Sequence, residues 1–408
     1  MRATIECGRI WITFCLAFAI SLTQVSMLLL LARGSSLRER WLGLIKWDAL
    51  WYASVVKLGY VSDLPPTPER PDLSNVGHFP GFPLFALFLH SLGFSAEASL
   101  IVVSQTACML FWILFFVLAG RWNVSRVGAL AAAGLFGCYF GSYILAAPYS
   151  EGVFLAALLS LVLATGELAE GSRFAWLLAV LSGILLGATR PIGFLGGAYP
   201  ILLGLLLLRQ GRILFREWLW RYATLGLAPS FGLFAFLAYC ARTWGQWDLY
   251  FRAMRATWHL KPDLLFPFHA SNYVPWIPLY RVMGFYGATW SHIAAALFFW
   301  LCAAAAGLEW RARGTATDQG LERRVGLYGT ALLMFTAALV SAGPDEFTGM
   351  SRYCVPPLAL LALALMDLIG RGPRIARGWI GVPVLFAVVS LSAQLVLATM
   401  YARGEWME

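Results

Sequence analysis

Runs of about twenty apolar residues recur along this chain, and no other feature limits its fold so tightly. The first, residues 10–32, is as long as a helix that crosses a bilayer and too long for the core of a signal peptide, so it reads as a retained span. Further runs follow at 98–119, 127–147, 151–168, 174–188, 192–208, 222–241, 290–308, 325–342, 353–369 and 379–401. They predict an all-α polytopic integral membrane protein, a single membrane domain over 1–408 with about eleven transmembrane helices. The runs on either side of Thr189-Arg190-Pro191 could be one kinked or re-entrant helix, since Pro191 lacks a backbone donor. That choice sets which side the C-terminus occupies.

Composition agrees: 60% of residues are apolar and 12% charged, against roughly half and a quarter in a soluble domain. The seven cysteines are scattered without a CxxC pair and read as small buried hydrophobes. A net charge of +9 does not call for nucleic acid as a partner, because juxtamembrane Arg serves topology and anionic lipids. Lys supplies only Lys46, Lys57 and Lys261 of the basic residues, a bias that hints at a GC-rich bacterial genome. Short connections rich in Arg alternate with short connections that carry only Arg190, Arg352 and Arg403. The asymmetry places the N-terminus inside and the C-terminus outside, with long outer loops at 33–97 and 242–289.

Between the first two spans, Leu37 to Tyr60 reads at helical period. Trp41, Leu44, Ile45, Trp51, Tyr52 and Val55 form one stripe with Asp48 in its middle, and Arg40, Lys46 and Lys57 lie mainly opposite. Such a helix would lie in the membrane interface, where a carboxylate on the apolar face costs free energy unless something uses it. Asp48 is therefore the first candidate for chemistry, although an Arg or a helix end could equally pair with it. Other polar residues expected on the same outer face are His78, Glu151, Arg190, His259 and Arg352. Glu151 could shape a site or satisfy a helix N-terminus, and Arg190 could face a phosphate or lipid headgroups. Aromatic residues crowd the second outer loop, Trp258 among them, as sugar platforms or as an interfacial belt. The histidines lack metal-site spacing, so no metal is expected.

Five short strings, in order along nearly the whole chain, carry a family resemblance. KWDALWYASVVKLGY resembles the [RK]-W-D-x-x-[WY]-[YF] segment that follows the first helix of PIG-V-type mannosyltransferases, a branch of the GT-C polytopic glycosyltransferases. HFPGFPLF is similar to that family's F-F-P-x-[YF]-P-L, with His78 in place of the first aromatic. PYSEGVFLAALL, ATRPIG and SRYCVPPLALL look like its Y-[ST]-E, T-R-x-x-G and R-Y-x-x-P segments, supplying Tyr149, Glu151, Arg190 and Arg352. The second outer loop departs from the family's G-D-P-x-x-F, reading Gly245, Gln246, Trp247 and Asp248.

The resemblance implies a GT-C-like bundle in a bacterial inner membrane, acting as a monomer on its periplasmic or outer face. It implies inverting transfer of a sugar, mannose by family, from a polyprenyl-phosphate donor to a lipid or glycan acceptor, with no cofactor beyond that lipid-linked substrate. Asp48 would be the base, its pKa raised toward a useful range by desolvation, an effect that a nearby Arg would oppose. Arg190, Arg352 and His78 would offset phosphate charge, and Trp47, Trp51, Tyr52, Tyr149, Glu151, Trp258 and His259 would contact substrate. A phosphate leaving group is a weak base and needs no general acid, so one carboxylate can suffice. The rival reading is a transporter or lipid flippase in which buried Asp48 and Glu151 carry protons or pair with a moving substrate.

Overall fold

The computed structural model describes residues 2–62, 74–258, 262–270, 272, 289–312, 320–342, 349–369 and 381–405. Among them the regular structure is helical, with one isolated bridge between Ser62 and Ser74. Eight helical stretches are long and apolar enough to cross a membrane: Trp11–Leu31, Ala96–Arg121, Glu151–Ala169, Pro191–Arg209, Phe215–Trp244, Trp290–Trp310, Leu321–Ser341 and Met350–Leu368. Shorter apolar helices cover Gly81–Ser91, Arg126–Gly137, Phe174–Thr189 and Ala387–Arg403. The protein is thus an all-α polytopic membrane protein.

The helices in chain order are α1 (Arg2–Leu31), α2 (Leu37–Leu42), α3 (Asp48–Leu58), α4 (Gly81–Ser91), α5 (Ala96–Arg121) and α6 (Arg126–Gly137). They continue with α7 (Glu151–Ala169), α8 (Phe174–Thr189), α9 (Ala198–Arg209), α10 (Phe215–Glu217), α11 (Thr224–Trp244) and α12 (Leu249–Trp258). The last five are α13 (Thr289–Ala312), α14 (Leu321–Ala342), α15 (Met350–Tyr353), α16 (Val355–Ile369) and α17 (Gly381–Arg403). Ser36, Ser95 and Ser125 cap α2, α5 and α6, each side chain accepting a bond from a free N–H of the first turn. The α8–α11 crossing is set by small residues. A Cβ at Gly187 would lie 1.8 Å from the Pro229 carbonyl, and one at Gly232 would lie 2.0 Å from that of Ile184.

Two expectations change. The helix expected over Leu37 to Tyr60 is two, α2 and α3, divided by a turn at 43–47 in which Trp47 takes a positive φ of 52°. Asp48 consequently opens α3 and does not sit mid-stripe, while Ala49, Tyr52, Ala53, Val55 and Val56 form its buried face. The long segment between α1 and α5 also holds α4, eleven residues long and too short to cross.

The run at 127–147 is also not one helix: α6 stops at Gly137 and a turn of 3₁₀-helix covers Ser142–Leu145. Side chains from distant helices satisfy this irregular backbone where lipid could not. Gln24 donates to the Ser142 carbonyl at 3.3 Å, and Gln394 donates to the Gly137 carbonyl at 3.2 Å and to Ser142 Oγ at 2.6 Å. Trp112 Nε1 in turn donates to Gln24 at 2.9 Å. The break at Thr189-Pro191 is present, with 3₁₀-helix over Pro191–Gly197 before α9. The far ends of α1 and α17 meet, since Arg33 approaches Glu405 at 3.8 Å and Tyr401 Oη donates to the Leu44 carbonyl at 2.6 Å.

Candidate functional site

Four helix ends meet where α3 begins. Asp48 is the first residue of α3, Glu151 the first of α7, Arg190 follows the last turn of α8, and Arg352 lies in α15 just before α16. Arg352 donates through Nη1 to Asp48 and through Nε to Glu151, with a second bond from Nη2 to Glu151 at 3.3 Å. Arg190 Nη1 donates to the same Glu151 carboxylate. The charges therefore alternate as Asp48, Arg352, Glu151, Arg190, and they sum to zero. Glu151 is sealed from solvent, while the side chains of Asp48, Arg190 and Arg352 keep 16%, 13% and 20% of their surface accessible.

Aromatic rings hold the arginines. The Arg352 guanidinium lies 4.7 Å from the centre of the Tyr149 ring and that of Arg190 5.7 Å from Tyr353. Tyr149 is backed edge-on by Tyr401 at 5.7 Å. The irregular stretch after α6 fixes the turn that carries Arg352: Tyr139 Oη donates to the Ser351 carbonyl at 2.8 Å, and a Cβ at Gly141 would lie 2.3 Å from that oxygen.

His78 belongs to the same site but not as a cation. Its ring stacks on Trp51 at 5.9 Å and stands edge-on to Tyr52 at 4.8 Å, it is buried, and Nδ1 has no hydrogen-bond partner. Burial, reinforced by the Arg352 and Arg190 charges and only partly opposed by Asp48, pushes its pKa down to about 4. The imidazole is therefore neutral at neutral pH, and the two arginines carry the positive charge of the site. Burial also raises the Tyr52 hydroxyl to about 12, keeping it a neutral donor.

Asp48 departs from expectation in sign. Burial does push its pKa upward, but the bonded Arg352 guanidinium, with Arg190 beyond it, outweighs burial and holds the carboxyl below the ordinary Asp value.

His78 gives a stability prediction. The unfolded imidazole takes a proton below about 6.5 and the folded one only below about 4, so the unfolded state gains protons, and stability falls, as pH drops through that window. The difference is worth about 3 kcal/mol. His78→Phe, which keeps a ring against Trp51 and Tyr52, should flatten the fall in Tm between those pH values. An unchanged slope would show that His78 does not set it.

Trp47, Trp51, Tyr52, Tyr149 and Glu151 all lie at this site or on its supporting elements. His259 and the side chain of Trp258 lie outside the described residues. Tyr353 comes with Arg352 from the SRYCVPPLALL string, whereas nothing local in the sequence marks Tyr401 or the Gln24–Gln394 brace. Among the described residues no three His, Cys, Asp or Glu gather as a metal site.

No protein-family model and no curated protein matches this chain. The family likeness thus rests on the five strings alone. All five strings converge at this site: Asp48 comes from the first, His78 from the second, Glu151 from the third, Arg190 from the fourth and Arg352 from the last, with bonded partners as far as 304 positions apart in sequence.

Proposed function

We propose that the protein is a GT-C-type glycosyltransferase, resembling the PIG-V branch, that moves a hexose from a polyprenyl-phosphate donor to an acceptor hydroxyl at the outer face of a bacterial plasma membrane. The observation that carries the reading is the meeting of Asp48, Arg352, Glu151 and Arg190 at the ends of four separate helices. In the proposed reaction the acceptor oxygen attacks the anomeric carbon, the bond from that carbon to the phosphate oxygen breaks, and the electron pair leaves with the phosphate. Asp48 takes the acceptor's proton. Arg190 and Arg352 face the charge that grows on the departing phosphate, while Tyr52, Trp51 and neutral His78 offer ring faces and polar edges to the sugar. Charges gathered at helix ends suit a lipid-borne donor that enters sideways between helices.

The test is to incubate the protein in lipid nanodiscs with short-chain polyprenyl-phosphate mannose, and with the glucose and galactose counterparts, in the presence of a membrane glycolipid extract. Mass spectrometry should find free polyprenyl phosphate and a hexose-bearing product that are absent without protein. Full recovery of all three donors with every extract would overturn the proposal.

A further inference from the structure

The pairing at this site poses a problem for any carboxylate that must act as a base. Asp48 faces Arg352 from the α15 turn, Glu151 from α7, Arg190 from the end of α8, His78 from the segment before α4, Tyr52 from its own helix, and the Tyr149 and Tyr401 hydroxyls behind Arg352. Of these groups, only Arg352 is bonded to it. While that bond lasts, the Asp48 oxygens are poor proton acceptors. Arg352 is also the group with two carboxylate partners, so it can leave Asp48 and stay anchored to Glu151.

We infer that Arg352 is a shared counter-ion that an incoming phosphate takes from Asp48, so that binding of the phosphate-bearing lipid frees the base. This rests on the transferase reading and goes beyond it by fixing an order: the phosphate arrives first, and the acceptor is deprotonated only afterwards. Accessibility supports the exchange. Glu151 is sealed and serves as a fixed anchor, whereas the side chains of Asp48, Arg190 and Arg352 each keep part of their surface accessible. The charges support it as well, because the four groups sum to zero. A phosphodiester therefore brings an unbalanced negative charge into a poorly solvated site, and drawing Arg352 away from Asp48 gives it a counter-ion. During transfer the proton moves from the acceptor hydroxyl to the released Asp48 carboxylate, and the charge of the site with its substrates stays the same. Once the product phosphate departs, Arg352 returns to Asp48 and helps expel the proton.

The phosphate and Asp48 thus compete for one guanidinium, and removing the Asp48 charge should favour the phosphate. The probe is a short-chain polyprenyl methyl phosphodiester, which carries a single fixed negative charge. Its binding to the full-length protein in nanodiscs is measured by calorimetry. Asp48→Asn, which leaves Arg352 bonded to Glu151, should bind the probe at least about tenfold more tightly than the wild type at neutral pH. If the wild type binds the probe and Asp48→Asn binds it no more tightly, the competition is absent and the inference fails with the transferase reading intact. If neither protein binds a polyprenyl phosphodiester, both fail.

Discussion

Asp48→Asn is expected to lower sugar transfer by roughly 10²- to 10⁴-fold, the range over which a positioned general base contributes, while the protein still inserts and folds. The geometry separates these effects. Asn keeps the size of Asp48 and can still accept a bond from Arg352, and Arg352 retains its two contacts to Glu151, so no buried charge is stranded. The lost quantity is the ability to take a proton. Initial rates with the donor at saturation, together with Tm in detergent, measure both effects. Near-normal turnover in Asp48→Asn would remove Asp48 from the chemistry. Asp48→Glu is a useful companion: it restores a carboxylate but pushes it one methylene further toward Arg352, so partial activity is expected.

What could be read from the sequence divides along a physical line. Apolar runs report burial in lipid, which is a local property, so the helical class, most spans and the interruption at Pro191 were visible. Periodicity reports which face a residue occupies only while the helix continues, and it does not register a single positive φ. The turn at Trp47 therefore escaped it, and Asp48 moved from a mid-stripe position to a helix start. The stretch after Gly137 escaped for a related reason. Its residues are small and apolar enough to read as a span, and what lets the backbone leave the helix is supplied by Gln24 and Gln394, more than a hundred residues away on either side. The direction of the Asp48 pKa shift had the same kind of dependence. Desolvation was legible from the apolar neighbours, but the opposing charge comes from Arg352, far along the chain. Membership of the site was legible and pairing within it was not. Asp48, Glu151, Arg190 and Arg352 stood out one by one, whereas their alternation depends on four helix ends arriving together.

The largest effect on folding should come from Glu151→Gln. Glu151 is inaccessible to solvent and is the only one of the four charges bonded to both arginines. Without its charge, Arg190 loses its carboxylate partner and Arg352 keeps only Asp48, leaving a net positive charge among buried rings. Removing one member of a buried ionic group costs about 3–5 kcal/mol, a large share of what holds a single domain together. Arg352→Ala should cost less, because Glu151 retains Arg190 and Asp48 is partly accessible. Arg190→Ala should cost least, since it leaves Glu151 held by Arg352 through two bonds. The order for donor use is different: Arg190→Ala, though well folded, loses one of two phosphate-facing guanidiniums, and loss of one such donor typically costs about 10²- to 10³-fold in rate. A double variant tests the assignment of cause. If Glu151→Gln is destabilising because it strands Arg190, then adding Arg190→Gln should recover part of the loss, a coupling of about 0.5–3 kcal/mol. Tm in nanodiscs should rise from the single to the double variant while transfer stays low. Additive losses in the double variant would mean that Glu151 stabilises the protein through its packing at the start of α7 and not through the charge it shares with Arg190.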